Sequence, residues 1–80
     1  LPELRVLDLE YNKIEIFPTD IFLLNNLKEF YIRNNKIKII PTEICKLSKL
    51  TKLGLTNNKI KIIPTEIATL TNLQSLFLAI

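Results

Sequence analysis

Leu4, Leu27, Leu50 and Leu73 stand 23 residues apart, as do Asn12, Asn35 and Asn58, and Pro18, Pro41 and Pro64. A fixed period of this length rules out most globular folds. Each copy is one supersecondary unit that buries its apolar face only against the copies on either side. The units run over 4–26, 27–49 and 50–72, and a partial one over 73–80. Residues 1–3 form the tail of an earlier unit, because Leu1 falls where Leu24, Leu47 and Leu70 fall later. Residues 1–80 are therefore expected to form a single array that begins and ends in mid-repeat. A free array of this kind needs polar-faced end caps. The sequence has none, so it is expected to be a fragment of a longer chain.

Within one unit the apolar spacing changes twice. Leu7-Asp8-Leu9, Phe30-Tyr31-Ile32, Leu53-Gly54-Leu55 and Leu76-Phe77-Leu78 alternate with a period of two, which predicts short, half-buried strands. Such strands can pair in parallel from unit to unit, about 4.8 Å apart. Asn12, Asn35 and Asn58 follow three residues later, where a turn leaves backbone groups to be paired. They are expected to form a structural ladder, each Asn stacked on the next. Ile14, Ile37 and Ile60 then turn inward, followed by Phe17, Ile40 and Ile63. Proline next fixes φ and stops strand pairing. Thr19, Thr42 and Thr65 are the expected N-caps of a short helical return, with Asp20, Glu43 and Glu66 in its first turn. Ile21/Leu24, Ile44/Leu47 and Ile67/Leu70 share one face of that return at i,i+3 spacing.

Leu50-x-x-Leu53-x-Leu55-x-x-Asn58-x-Ile60-x-x-Ile63-Pro64-x-x-Ile67-x-x-Leu70 resembles the leucine-rich repeat pattern, and the resemblance covers almost the entire chain. The Ile-Pro-x-x-Ile half at length 23 is similar to the intracellular, Ras-group type. That type is found in Ras-pathway and polarity scaffolds, Roco kinases, plant relatives and some bacterial proteins. The resemblance implies an α/β fold: a right-handed solenoid, a segment of a horseshoe. Short parallel strands would line its concave face, and short helical or 3-10 segments its convex face. It also implies a non-catalytic scaffold that binds a partner protein without a cofactor, with a small GTPase or another signalling protein among the candidates. The alternatives are the targeting region of a larger kinase, phosphatase, GTPase or ubiquitin ligase, or the recognition domain of an immune receptor or pathogen effector. Phe17 and Phe30 depart from the pattern but keep the core apolar. Gly54, at an outward strand position, is expected to leave a gap in the concave surface.

Outward strand positions form columns across the sheet: Val6, Glu29, Lys52, Ser75; then Asp8, Tyr31, Gly54, Phe77; then Glu10, Arg33, Thr56, Ala79; then Tyr11, Asn34, Asn57, Ile80. These vary between units while the framework does not, which is what a recognition surface needs. Asp8, Glu10, Tyr11, Glu29, Tyr31, Arg33, Lys52 and Phe77 are the candidate protein-binding residues. Tyr11, Tyr31, Arg33 and Phe77 lead, because Tyr and Arg are enriched among hot spots. Ile16, Ile39 and Ile62 form a further column where such repeats usually carry polar residues. Partial burial beneath the adjoining turn is favoured over an exposed ridge flanked by Lys36, Lys38, Lys59 and Lys61. An exposed ridge would suit a second partner or an anionic membrane surface.

Catalytic and metal chemistry find no support. The chain has no histidine, one cysteine (Cys45) and one glycine (Gly54). That removes the commonest base and zinc ligand, a thiol–imidazole pair, and any phosphate-cradling glycine loop. No catalytic, cofactor-binding or metal-binding residue is assigned. Net charge runs from −3 over residues 1–26 to +6 over residues 27–80. No aromatic–basic motif accompanies the basic half, so no nucleic-acid partner is expected. No apolar run is long enough for a membrane helix. The unpaired Cys45 and the lack of an Asn-x-Ser/Thr sequon point to a reducing, cytoplasmic setting. No signal peptide is visible, although the chain starts at Leu1 rather than Met.

Overall fold

The computed structural model describes residues 3–78. Four three-residue strands, β1 (Val6–Asp8), β2 (Glu29–Tyr31), β3 (Lys52–Gly54) and β4 (Ser75–Phe77), form one parallel sheet in chain order. The register advances by one repeat per strand, so Leu7, Phe30, Leu53 and Leu76 lie side by side. Each unit after the first enters the sheet in the same way. The Lys28 and Glu29 amides both donate to Arg5 O, those of Thr51 and Lys52 to Lys28 O, and those of Gln74 and Ser75 to Thr51 O. A residue repeated at a fixed interval therefore meets an equivalent backbone group one coil away.

The return path is a 3-10 segment in every unit: Thr19–Leu23, Thr42–Lys46 and Thr65–Thr69. Five residues do not offset the cost of nucleating an α-helix, and the tighter i→i+3 bond suits a short piece. The threonines are not the caps. Pro18, Pro41 and Pro64 occupy the N-cap with φ of −74°, −70° and −66°, and no side chain caps the segment. The proline ring already holds the extended entry geometry, so threonine becomes the first residue inside. The last turn closes through Leu24 N–H to Ile21 O, Leu47 N–H to Ile44 O and Leu70 N–H to Ile67 O.

The core is a strip between the sheet and these segments. Leu27, Phe30, Ile32, Ile37, Ile44, Leu47, Leu50, Leu53 and Leu55 are completely buried. Each is worth roughly 1.5–3 kcal/mol over exposure. They cluster in the middle units, which have a coil on both sides. Leu4, Leu7, Leu9, Leu73 and Leu78 have one neighbouring coil and are only partly covered. Both phenylalanine departures fit this strip. Phe17 meets Phe30 edge-on at 5.7 Å and stacks on Phe22 at 5.8 Å, so three aromatics share one seam.

The asparagines hold the turns by a relay through backbone, in which Asn12 and Asn35 share Leu9 O and Asn35 and Asn58 share Ile32 O. The Asn35 amide donates to Leu9 O, Ile32 O and Arg33 O, while its carbonyl accepts Ile14 N–H. Asn58 repeats this one coil later with Ile32 O, Leu55 O, Thr56 O and Ile37 N–H. Among the described residues, Asn12 reaches only Leu9 O and Glu10 O in its own coil. Direct asparagine pairing occurs one residue earlier, where Asn57 Nδ2 donates to Asn34 Oδ1 at 2.6 Å.

Candidate functional site

The pleat turns alternate side chains of β1–β4 away from the core, and the register aligns them across coils. Asp8, Tyr31, Gly54 and Phe77 are neighbours, as are Glu29 and Lys52. Four of the candidate residues form one network. The Arg33 guanidinium holds the Glu10 carboxylate and lies 5.0 Å from the Tyr31 ring centroid. The Tyr31 hydroxyl donates to Glu29 Oε1 at 2.7 Å. That hydrogen bond, burial and the Glu29 charge raise the Tyr31 pKa above its usual 10.0, with Arg33 acting in the opposite direction.

Gly54 leaves no gap. It is buried, and a β-carbon there would stand 2.8 Å from Tyr31 Cδ1 and 3.2 Å from Arg33 Cγ and Cδ. The missing side chain is the space into which Tyr31 and Arg33 lean. Its φ is not positive, so close approach, and not backbone freedom, is what calls for glycine.

Beside this network lies a shallow hollow of about 320 Å³, lined by Glu10, Tyr11, Arg33, Asn34, Thr56 and Phe77. Asn34 and Thr56 were legible as outward column members but lack the aromatic or charged character that singled out the others. Tyr11 is 79% exposed and has φ of 59°. Asn34 and Asn57 hold the same left-handed conformation in their units, where asparagine is far better tolerated than tyrosine. Asp8 is exposed, and its carboxylate accepts the Glu10 amide. Lys52 is half-buried beside Glu29 in register, and Phe77 is exposed on β4. Ala79 and Ile80, the last members of two columns, lie outside the described residues. Cys45 is a free, half-buried thiol on the convex side.

The isoleucine column is not tucked beneath a turn. Ile16, Ile39 and Ile62 are 83%, 75% and 79% exposed, which overturns the expected partial burial. Their inward neighbours Phe17, Ile40 and Ile63 already fill the core side of the coil, so the preceding residue points out.

A short-stranded parallel solenoid with a varied sheet face on an unvaried frame defines a repeat protein of the recognition type. The chain belongs to the leucine-rich repeat family, whose model matches residues 2–60 and 25–79. The family is generally a non-catalytic binding fold. A leucine-rich repeat protein of Leptospira interrogans is 41% identical, with a TM-score of 0.88 over 91% of this chain and 19% of its own. The Arabidopsis receptor kinase HAESA, solved with the peptide hormone IDA and the co-receptor SERK1, is 28% identical, with a TM-score of 0.88 over 99% of this chain and 14% of its own. The internalin inlF of Listeria monocytogenes is 27% identical, with a TM-score of 0.83 over 95% of this chain and 22% of its own. The chain thus spans about a fifth or less of the length of the first two. No match was found among the curated proteins. Among the described residues no helix is long and apolar enough to cross a membrane.

Proposed function

We propose that this chain is a protein-binding module whose concave sheet face receives a partner at Tyr31, Arg33 and the adjoining hollow. The observation that carries this reading is the Glu10–Arg33–Tyr31–Glu29 network over Gly54. It holds long side chains in place before any partner arrives, which lowers the ordering cost of binding. Tyr11 and Phe77 add exposed aromatic surface at the hollow, the residue class that anchors interfaces. Asp8, Glu29 and Lys52 supply charge at the rim. HAESA, whose structure holds a peptide hormone and a co-receptor, supports a proteinaceous ligand.

The proposed organisation is one array over residues 1–80, with repeats at 4–26, 27–49 and 50–72. The proposed type is the 23-residue, Ras-group one, and the proposed setting is cytoplasmic signalling with a small GTPase or similar protein. A second reading, the recognition region of a larger enzyme or receptor, is favoured by the 14% of HAESA that the chain spans.

The test is affinity capture from native lysate with wild type and the Tyr31→Ala/Arg33→Ala chain, quantified by mass spectrometry. The double variant is expected to lose the captured partner and keep its far-UV circular dichroism. Undiminished capture of every partner removes the concave reading. The complete open reading frame decides between scaffold and enzyme arm.

A further inference from the structure

The exposed isoleucine ridge encloses two grooves, neither lined by any residue of the concave site. The groove between Ile39 and Ile62 holds about 590 Å³, is backed by Ile40 and Pro64, and carries Lys38, Lys59 and Lys61 along its sides. The groove between Ile16 and Ile39 holds about 440 Å³, is backed by Phe17 and Pro41, and carries Lys38 and Glu15. Ile39 is the wall they share. Among the described residues none of the three lysines is in an ion pair.

Isolated exposed aliphatic residues are ordinary on a protein surface, but a contiguous row of them marks an interaction site. The charge along this row is unequal. Three lysines and no carboxylate line the groove between Ile39 and Ile62, whereas one of each lines the groove between Ile16 and Ile39. The complementary ligand is apolar along both grooves and acidic at the Lys59/Lys61 end.

We propose that this flank is a second binding face, for an extended peptide with aliphatic side chains in the two grooves and carboxylates against Lys38, Lys59 and Lys61. An extended chain presents alternate side chains to one side, so two anchors can enter two neighbouring grooves. An anionic bilayer fits less well. It would rest on the isoleucine tips without filling the grooves, and its uniform charge would meet Glu15. The proposal is independent of the concave site, because it uses none of its residues.

The probe is a fluorescein-labelled synthetic octapeptide with leucines at two alternate positions followed by three aspartates, read by fluorescence anisotropy against the 80-residue chain. Saturable binding is expected. It should weaken at least about tenfold when serines replace the leucines or the aspartates, as losing a hot-spot contact does. I39S/I62S and K59E/K61E chains should lose about as much, each checked for wild-type far-UV dichroism. The K59E/K61E chain should instead prefer a probe ending in three lysines. Y31A/R33A should bind like wild type, which separates this face from the concave one. No saturable binding, or equal binding by I39S/I62S, overturns the proposal. So does sedimentation with vesicles of 30% phosphatidylserine in phosphatidylcholine without peptide binding, which assigns the ridge to membranes.

Discussion

Asn35→Ala isolates what the asparagine relay contributes. Asn35 is 8% exposed and reaches four backbone groups. Three of them keep a donor when its amide is removed. Leu9 O retains Asn12 Nδ2 at 2.9 Å, Ile32 O retains Asn58 Nδ2 at 3.0 Å, and Arg33 O retains Tyr11 N–H at 3.3 Å. Only Ile14 N–H, held at 3.1 Å, loses its acceptor, and Ile14 is half-buried. One orphaned donor costs about 1–3 kcal/mol, and the lost amide bonds add about 1 kcal/mol net because their acceptors stay served. The expected loss is about 2–4 kcal/mol, a large share of the roughly 4–12 kcal/mol that a chain of this length holds. Asn12→Ala removes an exposed side chain whose bonds stay within one coil, and should cost no more than about 0.5 kcal/mol. Urea denaturation followed by circular dichroism at 222 nm measures both. A loss below about 1 kcal/mol for Asn35→Ala, or equal losses for the two variants, would refute the relay as the source of the stability.

Tyr11→Asn relieves a left-handed tyrosine and should stabilise the chain by about 0.5–1 kcal/mol in the same assay while weakening partner capture. Gly54→Ala should leave the dichroism intact yet displace the Tyr31 ring and Arg33. About tenfold weaker partner binding is expected by titration calorimetry once a partner is in hand. Tyr31 should ionise above pH 10 in a 295 nm absorbance titration of a Tyr11→Phe chain, and Glu29→Gln should bring it down. Because the folded-state pKa is raised, the stability this bond contributes is complete below about pH 10 and is lost as pH rises through the folded value.

Much of the scaffold was legible because repetition reports it several times over. The 23-residue spacing of Leu, Asn and Pro located the strand, turn and return of each unit. The outward columns predicted the observed pairing of Val6 with Glu29 and of Glu29 with Lys52, and likewise of Asp8 with Tyr31 and of Tyr31 with Gly54. The N-cap slipped by one residue because threonine has the side chain for capping, whereas proline has the backbone for it. The candidate site was legible only as a set of outward side chains. That Arg33 bridges Tyr31 and Glu10, and that Gly54 makes room for them, involves three neighbouring coils.

The sequence by itself determined the repeat, the strand and return of each unit, and which side chains share a face, because periodicity is a property of one coil. The tertiary structure alone decided what lies across from each face. Asn35 meets Ile14 and Leu9, 21 and 26 residues away, and Gly54 is filled from the coil before it. Ile16, Ile39 and Ile62 stay in solvent because their neighbours have already taken the core. Such facts depend on the angle and separation at which one coil meets the next, and a linear spacing rule carries neither.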